Sequence, residues 1–183
     1  LNYRLMKKFL LFILFYVFSI SIYAQCYETL TFGGAHTIGK TSNGLLWGWG
    51  YGAGGQLLTT NETEPNPIQL GTSTDWNIVS NGVVNTFAIK NNGTLWGCGN
   101  NQYGSLGVNS STQFITSFQQ ITTSTNWAKV APSYFFTIAL KADGTIWAWG
   151  QNDEYQLGNS PATAQQLSPI QVGTATDWVE IAT

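Results

Sequence analysis

The stretch Asn92-Gly93-Thr94-Leu95-Trp96-Gly97-Cys98-Gly99 decides the fold, because it occurs three times. It recurs as Asn43-Gly44-Leu45-Leu46-Trp47-Gly48-Trp49-Gly50 and as Asp143-Gly144-Thr145-Ile146-Trp147-Ala148-Trp149-Gly150, at offsets of 49 and then 51 residues. A second landmark, Asp75-Trp76, returns as Asn126-Trp127 and Asp177-Trp178. All eight tryptophans fall on three positions of this repeat. A period near 50 residues is the signature of stacked supersecondary units, so it sets the architecture before any local reading.

Working outward, each unit reads as antiparallel strands. The run Thr86 to Lys90 meets the turn Asn91-Asn92-Gly93 and returns through Thr94-Leu95-Trp96 with period-2 alternation. Asn-Gly or Asp-Gly between two such runs is a strong hairpin signal, because the turn needs positive φ. Two more short strands are expected, around Ile68 to Leu70 and around Trp76 to Ser80. Trp47 and Trp49 point to one face of their strand and Gly48 and Gly50 to the other. Rings on one face and bare backbone on the other suit sheets stacked face to face. Four strands in about 50 residues make one blade of an all-β propeller.

Composition agrees. Only 9% of residues are charged, while there are 20 glycines and 8 tryptophans, the opposite of a disordered chain. Met6-Lys7-Lys8, the apolar run Phe9 to Phe18 and the small Ala24 before Gln25 follow the order of a secretory signal peptide. The apolar segment is shorter than the roughly 20 residues needed to span a bilayer. Residues 1–24 are therefore read as a signal peptide preceded by a few upstream residues, and the chain as secreted or held at the cell surface, with no membrane span after cleavage. Beyond residue 24 there are four lysines, no arginine and nine acids, a formal net charge of −5. That balance carries no footprint for nucleic acid.

The ordered set of hairpin turn, Trp pair, glycine, leucine and closing Asp-Trp resembles the RCC1 repeat, and the resemblance runs from Tyr27 to Thr183. It implies a partial β-propeller of three blades, at about 27–79, 80–130 and 131–183. Family propellers typically have seven blades, so further blades are expected beyond Thr183. The resemblance also implies a binding module rather than an enzyme. A secreted inhibitor of an extracellular enzyme, as in RCC1-like β-lactamase inhibitors, is the alternative. The nucleotide-exchange and chromatin role of the eukaryotic namesake does not suit an exported chain without arginine.

Chemistry-bearing residues are few. His36 is the sole histidine and has no partner base or co-ligand in the pattern, so it reads as structural. Cys98 replaces a repeat tryptophan and reads as core filler. Export would permit a Cys26–Cys98 disulfide, which their different strand environments disfavour. Glu62/Glu64 and Asp153/Glu154 lie in variable loops and read as solvated rather than as a hydrolytic pair. No cofactor or metal is implied. The segments 51–64, 100–118 and 151–167 vary between repeats, and loops on a rigid scaffold are where binding lives. Tyr51, Asn100, Tyr103, Gln151, Asp153 and Tyr155 are the candidate contacts for a protein or polysaccharide, with the three tyrosines expected at the surface.

Overall fold

The computed structural model describes residues 26–158 and 164–182. The signal-peptide reading falls on residues outside that range. Among the described residues, twelve strands form three four-stranded antiparallel sheets. The first holds β1 (Tyr27–Phe32), β2 (His36–Thr41), β3 (Leu46–Tyr51) and β4 (Thr63–Gln69) in sequence order. The second holds β5 (Trp76–Asn81), β6 (Asn85–Lys90), β7 (Leu95–Asn100) and β8 (Phe114–Gln120). The third holds β9 (Trp127–Pro132), β10 (Phe136–Lys141), β11 (Ile146–Gln151) and β12 (Gln165–Gln171). Strands β1, β5 and β9 approach one another across sheets and mark the inner end of each blade. The outer strand β4 carries Pro65 and Pro67, tolerated there because an edge strand need not donate on both sides.

One grouping differs from the sequence expectation. The Trp76 strand does not close the first blade; it opens the second, pairing with β6 through Trp76↔Lys90 and Val79↔Ala88. Each sequence repeat therefore straddles two sheets. The chain turns at Gly71, whose φ is +73°, and crosses to the neighbouring sheet before Trp76. The hairpin turns also differ in detail. Gly44 N–H donates to the Thr41 carbonyl at 2.9 Å. Gly44, Gly93 and Gly144 take φ of 76–81°, but the preceding Asn or Asp does not. Glycine alone supplies the left-handed residue.

The glycine ending the Trp motif is required by geometry. Gly50, Gly99 and Gly150 have φ of 99–111°, and each sits beside a shift in the pairing of its strand with the outer one. A Cβ at Gly150 would lie 2.3 Å from the Phe135 carbonyl oxygen.

The core lies between sheets. Ile38, Leu46, Leu57, Leu70, Trp76 and Ala88 fill the first junction. Phe87, Leu95, Leu106, Trp127 and Trp149 are among the residues that fill the second. Hydrogen bonds fix the stacking. Thr86 Oγ1 donates to the Gln56 carbonyl at 2.9 Å, and Thr137 Oγ1 to the Ser105 carbonyl at 2.9 Å. Trp149 Nε1 donates to that same Ser105 carbonyl, also at 2.9 Å, with its indole against Gly107. Cys98 stands in the corresponding place, its thiol 3.8 Å from the Gln56 carbonyl. It is fully buried while Cys26 is exposed, and both are free.

Two tests follow from this packing. Trp149→Ala should lower stability by about 3–5 kcal/mol in equilibrium urea denaturation. Trp49→Ala should cost distinctly less, because that ring is only half-buried, against Tyr27 at 5.6 Å. In the second and third sheets the indoles of Trp96 and Trp147 donate to Thr94 and Thr145 at 2.9 Å. Leu45 occupies that position in the first sheet and leaves Trp47 Nε1 buried without a partner. Leu45→Thr should restore the bond and raise the unfolding free energy by about 1 kcal/mol.

Candidate binding face

The strand directions put two sets of connections on one face. These are the short β1–β2, β5–β6 and β9–β10 loops and the long β3–β4, β7–β8 and β11–β12 loops. They are stitched together by backbone bonds from Tyr51 to Ala35, Asn100 to Val84 and Gln151 to Phe135, at 2.7–3.0 Å. Tyr51, Asn100 and Gln151 are thus equivalent residues, each ending the third strand of its sheet.

The long loops are held from inside. Asn101 is buried, accepts from Leu106 N–H at 3.0 Å and donates to the carbonyls of Ser110 and Thr112. Asn152, equally buried, accepts from Leu157 N–H at 3.0 Å. Gly52 stands at this position in the first loop, where its N–H bonds the Glu62 carbonyl.

The candidate residues separate by environment. Tyr51 and Tyr155 are exposed, Tyr155 with φ of 60°. Tyr103 is half-buried rather than exposed, edge-on to Phe135 at 5.0 Å. Asn100 Oδ1 accepts from Gln102 N–H at 2.7 Å, so one of its polar atoms serves the loop itself. Asp153 accepts from Gln151 at 2.9 Å and from Gln156 at 3.2 Å. Those bonds, Gln151's first, hold its carboxyl below the usual range. The Glu154 backbone N–H donates to Gln156 Oε1 at 2.9 Å. Among the described residues no group of three or more His, Cys, Asp or Glu side chains is placed to hold a metal.

The sequence reading missed part of this face. Phe32, Val83, Phe114 and Tyr134 are exposed there too. Gly34, Val83 and Tyr134 share one position of the repeat, in a short loop whose residues vary from sheet to sheet. Tyr134 packs edge-on to Phe135 at 4.1 Å, which joins it to Tyr103.

His36 lies beneath the face, buried at the first junction, with Nε2 3.0 Å from Thr86 Oγ1. The Thr86 proton is used on the Gln56 carbonyl, so His36 Nε2 carries the hydrogen and donates. Burial holds the imidazole down at about 4 and pushes the Cys98 thiol well up. Neither group is poised for chemistry at neutral pH.

Taken together, this is a propeller-type scaffold of repeated blades with a loop-bearing face. Models of the Regulator of chromosome condensation (RCC1) repeat match residues 127–156 and 143–183. The RCC1 domain-containing protein RUG3, mitochondrial, of Arabidopsis thaliana is 29% identical over 147 residues, 70% of this chain and 31% of that protein. The ultraviolet-B receptor UVR8 of the same plant is 29% identical over 144 residues, 76% of this chain and 32% of that one. The chain spans about a third of these curated relatives. Yeast RCC1 (Prp20) bound to Kap60 superposes with a TM-score of 0.77 at 18% identity, over 88% of this chain and 40% of that one. Human WBSCR16 gives 0.70 at 19% identity, over 84% and 39%. The fold is that of the RCC1 propellers.

The depressed imidazole gives a pH test. Between the folded value of about 4 and the ordinary 6.5, the unfolded chain binds the extra proton. The contribution of His36 is therefore complete above about pH 6.5 and is lost as pH falls toward 4, at up to about 1.4 kcal/mol per unit. His36→Asn, which copies Asn85 of the second sheet, should flatten that part of the profile. Urea unfolding of both proteins at pH 7.5 and 4.5 measures the difference.

Proposed function

We propose that this chain is an exported, non-catalytic interaction module that binds a protein or glycan through the loop-bearing face of its propeller. One observation carries the reading. Of the nine large apolar side chains exposed among the described residues, six are Phe32, Tyr51, Val83, Phe114, Tyr134 and Tyr155, all on this face. Apolar surface gathered on one side of a rigid scaffold is the ordinary mark of a contact surface.

Charge supports the same reading against a polyanion. Lys40 and Lys90 pair with Glu28 and Asp75 at 3.0 and 3.1 Å. Lys129 pairs with Glu180, and Lys141 sits 3.9 Å above the Trp147 ring. Every described lysine is thus engaged within the protein.

The test compares Phe32→Ser/Tyr134→Ser with a control pair on the opposite turns, Ser42→Ala/Asn91→Ala. Both go onto a glycan array and into affinity capture from the extracellular fraction. The loop-face pair should lose at least tenfold in affinity for the captured ligand while the control pair keeps it. Equal binding by both would refute the assignment of the face. Export has its own check: the N-terminal residue of protein recovered outside the cell should be Gln25.

A further inference from the structure

The two junctions between sheets are built from the same repeat, and the position of Thr122 is one of those at which they differ. At the second junction Trp127 Nε1 donates to Thr122 Oγ1 at 3.1 Å. Lys141 Nζ, lying over the Trp127 and Trp147 rings, donates to Ser124 at 3.3 Å. There the indole and the ammonium both find hydroxyl partners within the protein.

At the first junction the counterpart of Thr122 is Gly71. A side chain there would meet nothing within 4 Å. The indole nitrogen of Trp76, a residue only 4% exposed, accordingly lacks any acceptor. What results is a cleft of about 300 Å³ that Gly71, Trp76, Lys90, Trp96 and Phe118 help to line. Its walls are aromatic: Phe118 lies 4.8 Å from Trp76, and Trp96 stands edge-on at 6.3 Å. Lys90 Nζ sits 4.9 and 5.0 Å from the two indoles, and Asp75 balances its charge at 3.1 Å.

We infer that this cleft is a binding site for a single neutral sugar ring, whose hydroxyl takes the place of the missing Thr122-type hydroxyl on Trp76 Nε1. The chemistry selects that class. A buried N–H without an acceptor costs on the order of 1–3 kcal/mol, so an acceptor is favoured there. Flat aromatic walls suit the apolar face of a pyranose. The Lys90–Asp75 pair is neutral overall, which removes any preference for an anion. The volume lies at the lower bound for ligand pockets, roughly 300 Å³, enough for one ring and not for a long chain. The cleft does not include the loop face and stands independently of the function proposed above.

The probes are the methyl glycosides of glucose, galactose and mannose at up to about 50 mM, followed by saturation-transfer NMR and by the indole N–H shifts of Trp76 and Trp96. At least one glycoside should bind and shift the Trp76 resonance. Phe118→Ala should weaken that binding by about tenfold, and Trp76→Phe by at least as much. The loop-face pair Phe32→Ser/Tyr134→Ser should leave it unchanged, which separates this site from the other. Retained dispersion of the remaining amide signals shows that each variant is folded, and Phe118→Ala alone suffices if Trp76→Phe does not fold. No saturation transfer with any of the three glycosides would overturn the inference. So would binding indifferent to Phe118→Ala, or a cleft that takes benzoate in preference to the sugars.

Discussion

A backbone carbonyl at the base of each long loop governs how the sheets stack. The Gln56 and Ser105 carbonyls each receive the hydroxyl of a threonine from the next sheet, Thr86 and Thr137. Around each bond the apolar residues of both sheets close over one another and leave the threonines fully buried. A hydrogen bond inside such a junction is hard to exchange for water, and a donor left without its carbonyl there would be costly. The motif thus fixes the spacing of sheets and also the root of the loop that follows. Leu57 and Leu106, which come directly after the two carbonyls, are core residues for the same reason.

Rigidity of the loop face follows from this. The long loop of the second sheet, anchored at its base through the Ser105 carbonyl and inside by Asn101, has little ordering left to do on binding. The aromatic pairs Tyr103–Phe135 and Tyr134–Phe135 connect the long loop of the second sheet to the short loop of the third. The face is continuous across that junction.

The repeat made the architecture legible, because the Trp and Gly positions are dictated by contacts that recur in every junction. The assignment of Trp76 to a blade was not legible. Period-2 alternation reports that a segment is a strand and which face it buries, but not which sheet accepts its hydrogen bonds. Trp76 buries the same ring in either arrangement; the register with Lys90 decides it. Of the candidate contacts, Tyr51 and Tyr155 were correctly expected at the surface. Tyr103 was not, because its partner Phe135 belongs to another repeat, and no local pattern foretells that meeting. Phe32, Val83 and Tyr134 were overlooked since short hairpin loops hold too few residues to show a pattern of their own.

Repetition also supplies an internal control. Where equivalent positions agree, as at Gly50, Gly99 and Gly150, a backbone constraint common to all sheets explains them. Where they differ, the difference has to be accommodated locally. Cys98 for tryptophan leaves a smaller group over the Gln56 carbonyl, and the His36–Thr86 bond stands beside it in a way the second junction lacks. Asn85 replaces His36 at the second junction and leaves both its amide atoms buried without a partner. Gly71 for Thr122 removes an acceptor and opens a cleft. In each case the scaffold tolerates the change because its stacking bond is made by backbone and threonine. Side chains around that bond are free to diverge, and the divergence makes three similar blades chemically distinct.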